Sequence, residues 1–160
     1  MGPLVEVTAY SLALRYVGVA EFKGPKHHPL IQWWLSLCGL DPDSPDEIAW
    51  CSAFAQGPTW ELRLPRSKSA AARSWLTVGT PITLEDAEPE YDVVVFKRGP
   101  GRGQEGPDTL DAPGHVGFYA GLEGSGPKRV VLVLGGNQGD AVSIARHPAK
   151  DVLGVRRLVA

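Results

Sequence analysis

The hydrophobic and polar positions change period once along the chain, near residue 80. Before that point, Ala9, Leu12, Ala13, Tyr16 and Val19 recur at helical spacing, with Gly18 near the end of the run. A second helical stretch carries Ile31, Trp34, Leu35 and Cys38. It opens on Pro29, whose missing N–H suits a first helical position, and closes on Gly39. Ser67 or Ser69 is placed to cap a short helix over 70–76 that ends near Gly79. Beyond it the apolar residues alternate or form short runs, which predicts strands over 91–96, 115–119, 130–134, 141–145 and 153–158. Helices first and strands afterwards predict an α+β fold, N-terminal helices packed on a C-terminal antiparallel sheet, rather than alternating βαβ units.

The stretch between the second and third helical signals is open to two readings. Ser44-Pro45-Asp46-Glu47 matches a capping box with proline at the first helical position. A helix starting there puts Cys51 about two turns in. If 43–48 is instead a separate turn, Cys51 opens a new helix. The pattern fits both.

Composition narrows the class of protein. At 160 residues the chain is expected to form one domain, a helical part over about 1–80 and a sheet part over about 90–160. A net charge of −2 gives no blanket electrostatic reason to expect nucleic acid. Two cysteines, Cys38 and Cys51, are too few for a disulfide framework. The first residues lack a basic region followed by a long apolar core. No secretory signal or membrane span is therefore expected, and synthesis is expected in the cytoplasm. No stable membrane insertion is expected either, and the chain is expected to act as a monomer. The glycine-rich loop over 97–107 carries Lys97, Arg98 and Arg102 but lacks the Lys-Ser/Thr ending of a phosphate-binding loop. It reads as a solvated loop tip with a local anion contact as the alternative. No Cys-x-x-Cys pair or His-Glu-x-x-His helix is present, so no metal and no cofactor are expected.

Three residues remain as candidate chemistry. Cys51 sits between Trp50 and the small residues Ser52 and Ala53, where a helix start would lower the thiol pKa and present backbone N–H groups to an oxyanion. His115 follows Pro113-Gly114 into an alternating run, so His115, Gly117 and Tyr119 share one strand face, Val116 and Phe118 the other. Asn137, after Gly135-Gly136, is placed to accept the second N–H of an imidazole. Gln138 is the alternative, with Asp92 and Asp111 behind. His27, His28 and His147 adjoin prolines and read as solvated loop residues. Cys38 reads as a buried structural thiol. Trp50, Ser52, Trp75 and Tyr119 are candidates to line a cleft against substrate.

Trp50-Cys51-Ser52-Ala53-Phe54, Ala70-Ala71-Ala72-Arg73-Ser74-Trp75, Asp92-Val93-Val94-Val95-Phe96, Gly114-His115-Val116-Gly117-Phe118-Tyr119 and Leu134-Gly135-Gly136-Asn137-Gln138 occur in this order. Together, over about 21–157, they resemble small phage and prophage cell-wall hydrolases of the papain-like NlpC/CHAP superfamily. The resemblance implies a cysteine hydrolase of papain-like fold, with Cys51 as nucleophile, His115 as general base and Asn137 as the polar third member. It implies peptidoglycan as substrate, cut as an N-acetylmuramoyl-L-alanine amidase or a stem-peptide endopeptidase. An endolysin released through a hole made by another protein (a holin) fits, as does an antibacterial effector or tail-associated lysin with the same chemistry. A non-catalytic wall-binding module on the same scaffold is the reading from another class. Two departures stand out. Ala55-Gln56-Gly57-Pro58 is expected to break the cysteine helix early, and Tyr91-Asp92 replaces the usual Gly-Asp.

Overall fold

Thr8 starts the first helix, α1 (Ala9–Leu14), by a reciprocal capping box. Its hydroxyl accepts the Ser11 N–H, and the Ser11 hydroxyl accepts the Thr8 N–H. The computed structural model describes residues 1–98 and 106–159. Helix α2 (Pro29–Ser36) begins on proline as its sequence implies, and His28 is its N-cap, with Nδ1 accepting the Leu30 N–H. Helix α3 spans Cys51–Glu61.

The open question about Cys51 is settled by α3. Residues 43–48 form turns, and the helix begins at Cys51 itself. The Ser44–Glu47 capping box does not form. Asp46 is instead fully buried and accepts from the Phe22 N–H (3.1 Å), the His28 N–H (2.8 Å) and His27 Nδ1 (3.0 Å), tying the 20s loop to the approach of α3. Burial works against its charge, yet these donors outweigh that and hold the carboxyl below its ordinary range.

The expected early break at Gly57-Pro58 does not occur either. Pro58 lies inside α3 and gives the Phe54 carbonyl no i−4 donor. Tertiary packing overrides the breaker, since Cys51 to Thr59 are all buried. Gly57 is required there because a Cβ would stand 2.5 Å from Trp34 Nε1. Trp34 stacks on Trp50 (centroids 5.9 Å) and meets Phe54 and Tyr16 edge-on (5.0 and 5.4 Å), which locks α1, α2 and α3 together.

After a 3-10 turn over Ala72–Thr77, the described residues form six strands: β1 (Thr80–Ile82), β2 (Asp92–Lys97), β3 (Gly114–Glu123), β4 (Val130–Gly135), β5 (Ser143–Pro148) and β6 (Val152–Arg157). Short β1, with Pro81 at its centre, has no periodic signal and is not among the strands that the pattern predicts. The sheet is antiparallel in every pair, in the order β1-β6-β2-β3-β4-β5. Its two faces differ. Val93, Val95, Val116, Phe118 and Leu134 pack with the helices, whereas Val94, Phe96, Tyr119, Val131, Val133 and Val155 form a second apolar layer on the other face. The fold is thus α+β, as the order of periods implies.

Candidate active site

Cys51 is the first residue of α3, and its N-cap Trp50 offers no side-chain oxygen to the free N–H groups of the first turn. The sulfur takes their place. It lies against the N–H groups of Cys51 and Ser52, and against the N–H of Val116 on β3. The site is only 3% exposed, and this burial pushes the thiol pKa up. The three N–H groups and the Arg98 charge pull the other way without overcoming it.

His115 is delivered by a buried arginine. Arg73, fully buried in the 3-10 turn, donates to the carbonyls of Pro113 (3.0 Å) and Thr109 (3.0 Å), and so pins the segment that enters β3. Gly114 is required at that entry, because a Cβ would press on Arg73 Cγ and the Phe96 carbonyl, both at 2.9 Å. Close strand packing fills the face beside Gly117, where a Cβ would run into Val133 Cγ1 and the Leu134 carbonyl.

Gln138, not Asn137, holds the imidazole. Gln138 Oε1 lies 2.9 Å from His115 Nε2, and its Nε2 donates to the carbonyls of Ser143 (2.7 Å) and Val133 (3.2 Å). Those two donations fix which way the amide points, so Oε1 is the acceptor and His115 carries its proton on Nε2. The Nδ1 lone pair is left available. Asn137 sits one residue earlier at φ 55°, the left-handed turn conformation that asparagine tolerates, and bonds no histidine. Two glycines allow the arrangement. A Cβ on Gly135 would crowd Gln138 Oε1 (2.9 Å), and one on Gly136 would strike Phe54 Cβ (2.5 Å) and the Trp50 ring (2.7 Å).

His147 was expected in a solvated loop but lies on β5. Its ring stacks on His115 (4.8 Å, 19°) and on Phe96 (4.9 Å), and its Nε2 shares Gln138 Oε1 at 2.9 Å. Burial first, then the neighbouring His147, lowers the His115 pKa to about 4 despite the Gln138 bond. Both groups of the candidate pair are therefore neutral near pH 7. Among the described residues no hydrogen bond joins Cys51 Sγ to the His115 ring; helix and strand are held together by apolar packing, with Phe54 edge-on to Phe118 at 6.0 Å. A cavity of about 600 Å³ opens over the imidazoles, with Lys97, Arg98, Asn137, Ser143 and Asp151 on its walls.

The remaining expected site residues separate from it. Trp50 is fully buried and donates to Glu21 (2.8 Å); Trp75 is fully buried and donates to Ser52 Oγ (2.9 Å), which itself donates to the Ser69 carbonyl (2.6 Å). These three are core, not cleft lining, because their polar atoms are satisfied inside. Tyr119 is nearly buried in the second apolar layer. Asp92 is committed to a two-point ion pair with Arg157 (2.9 and 2.8 Å), and Asp111 is exposed without a histidine contact. His27 and His28 are held by Asp46 and α2 rather than solvent. Arg98 is the residue the sequence undervalued: its charge acts on Cys51, His115 and His147 alike. The rest of its loop, 99–105 with Arg102, lies outside the described residues.

No family model matches the sequence, and a comparison with curated proteins finds no match. Among solved structures, NlpC1 from Trichomonas vaginalis is similar at a TM-score of 0.54 and 17% identity, over 98% of this chain and 46% of that one. This chain therefore spans less than half the length of that protein, and what they share is an NlpC-type fold.

Proposed function

We propose that the protein is a cysteine hydrolase that cleaves an amide bond of peptidoglycan, with Cys51 as nucleophile, His115 as base and Gln138 as the residue that orients it. The observation that carries this reading is a cysteine at the first position of α3, in one core with β3, the strand that presents an imidazole whose tautomer Gln138 fixes. The NlpC-type fold supports it.

His115 Nδ1 accepts the Cys51 proton as the sulfur attacks the amide carbonyl carbon, whose π electron pair moves to oxygen. First-turn N–H groups of α3 hold that oxyanion. The imidazolium then protonates the departing nitrogen, the C–N bond breaks, and a thioester to Cys51 remains. Water, deprotonated by the same imidazole, attacks the thioester and releases the acid and the thiol. Starting from a neutral thiol and a neutral imidazole, proton transfer accompanies attack.

Mass spectrometry of soluble products from purified peptidoglycan, wild type beside Cys51→Ala, tests the reading. Intact stem peptides freed from glycan identify an amidase; cut stems or cross-links identify an endopeptidase. Bacteriolysis from without and within distinguishes an endolysin from an effector. The second reading, a wall-binding module without catalysis, is favoured by the near-complete burial of the thiol and its raised pKa. Wall binding with no products from either protein would establish it.

A further inference from the structure

Two imidazoles meet over the cavity, and both are held on a single oxygen. His115 Nε2 and His147 Nε2 each lie 2.9 Å from Gln138 Oε1. The Gln138 amide nitrogen donates in turn to the Val133 and Ser143 carbonyls and, at 3.3 Å, to the Ser143 hydroxyl. A carbonyl oxygen has two lone pairs, and here each accepts one ring N–H. The cluster is closed: neither ring can turn without leaving a donor unpaired.

The rings also constrain each other. They stack at 4.8 Å and 19°, and His147 meets Phe96 at 4.9 Å and 30°. They come from β3 and β5, which have β4 between them, so ladder pairing does not impose the contact. His115 is almost fully buried, whereas His147 is half-buried. Among the described residues, the charged groups that wall the cavity over the pair are Lys97, Arg98 and Asp151. Burial first, then Arg98, lowers the His147 pKa, and Asp151 opposes them.

We propose that His147 is a positioning residue for His115: it fixes the imidazole plane through the stack and the shared Gln138 oxygen, and it supplies the charge that keeps His115 neutral in acid. As pH falls, the less buried ring takes the first proton. Its Nε2–H still reaches Gln138, so the geometry survives, and a positive charge now stands 4.8 Å from the His115 ring. A second proton on His115 would set two cations face to face beside Arg98. Burial is the larger cause of the His115 pKa of about 4, and His147 is the next. His115 thus stays a competent base where a solvated histidine would be protonated. The catalytic value of this rests on the hydrolase reading above; the behaviour of the two rings does not.

Nitrogen-15 NMR of the histidine rings in the full chain, titrated from about pH 8 towards about pH 4, reads the protonation of His115 without any substrate. His147→Phe keeps a ring on the stack and abolishes the charge. The His115 midpoint should then rise by about one pH unit, about 10-fold in proton affinity, since burial accounts for the larger part of its displacement. His147→Gln, uncharged but still able to donate to Gln138, carries the same expectation should the phenylalanine variant fail to fold. His147→Lys puts a permanent cation in place of the ring and should hold the midpoint at about 4. An unmoved midpoint in the uncharged variants overturns the proposal. So does a His147→Lys midpoint as high as theirs, because packing alone would then account for the effect. On peptidoglycan fragments the acid limb of kcat/KM should move with the midpoint in each variant. A limb that stays in place in an active enzyme overturns the role of His147 in the reaction. Absence of products from the wild type counts against the hydrolase reading alone, and the ring titration still decides the role of His147 towards His115.

Discussion

Replacing Gln138 by methionine tests the site at its most informative point. Methionine keeps the length and removes every polar atom. His115 Nε2–H, on a residue 5% exposed, then loses its acceptor, and the Ser143 carbonyl loses a 2.7 Å donor. The Val133 carbonyl and the half-buried His147 lose less, one being in the sheet ladder and the other within reach of water. At about 1–3 kcal/mol for a buried donor left unpaired, plus a smaller loss at Ser143, the variant should be destabilised by about 2–4 kcal/mol. Asn137→Gly is the control. Glycine accepts the φ of 55° without strain, so stability should change by less than about 0.5 kcal/mol. Urea unfolding measures both, and nitrogen-15 shifts of the His115 ring report the tautomer. Wild type and Asn137→Gly should show a proton on Nε2 alone, and Gln138→Met a mixture of forms. The assignment is refuted if Asn137→Gly releases the tautomer while Gln138→Met keeps both it and the stability of wild type.

Acid should act through His115. Its folded pKa of about 4 lies below its ordinary 6.5, so the unfolded chain binds the proton first, and stability is lost as pH falls from 6.5 towards 4, by about 3 kcal/mol for this residue. Urea midpoints across that range check it; His115→Phe should flatten the dependence. Under the proposed mechanism the acid limb of kcat/KM should likewise lie near pH 4 rather than 6.5, read from a pH–rate profile on peptidoglycan fragments. Gly136→Ala must displace Phe54 and Trp50 at the start of α3 and should cost about 1–3 kcal/mol, whereas nothing crowds a Cβ at Gly139, where only its φ of 65° penalises alanine. Ser52→Ala should destabilise by about 1–3 kcal/mol, since it leaves the buried Trp75 Nε1–H without an acceptor; thermal unfolding measures it.

Several features of this protein were present in the sequence because they are local. The change of period from helix to strand gave the α+β order, and Pro29 and Gly39 bounded α2 within a few residues. Alternation placed His115 and Tyr119 on one face of β3 and Val116 and Phe118 on the other, as the two apolar layers show. A period of two cannot do otherwise.

What depended on distant contacts was not legible. Whether Cys51 starts a helix or continues one turned on Asp46, a residue whose three hydrogen-bond partners lie around 20 positions earlier. Gly57-Pro58 reads as a break in any local account, but α3 is sheathed by Trp34, Trp50 and the sheet, and burial outweighs one missing backbone bond. Trp50, Ser52 and Trp75 carry polar atoms that look available in a sequence and are spent on one another and on the loops around them. The choice between Asn137 and Gln138 rested on one residue of turn geometry, which points one carboxamide into the cavity wall and sends the other between two imidazoles on different strands. Sequence fixes the kinds of atoms a site can offer and the faces they lie on; the closing of strands and helices over them decides which atoms are still free to act.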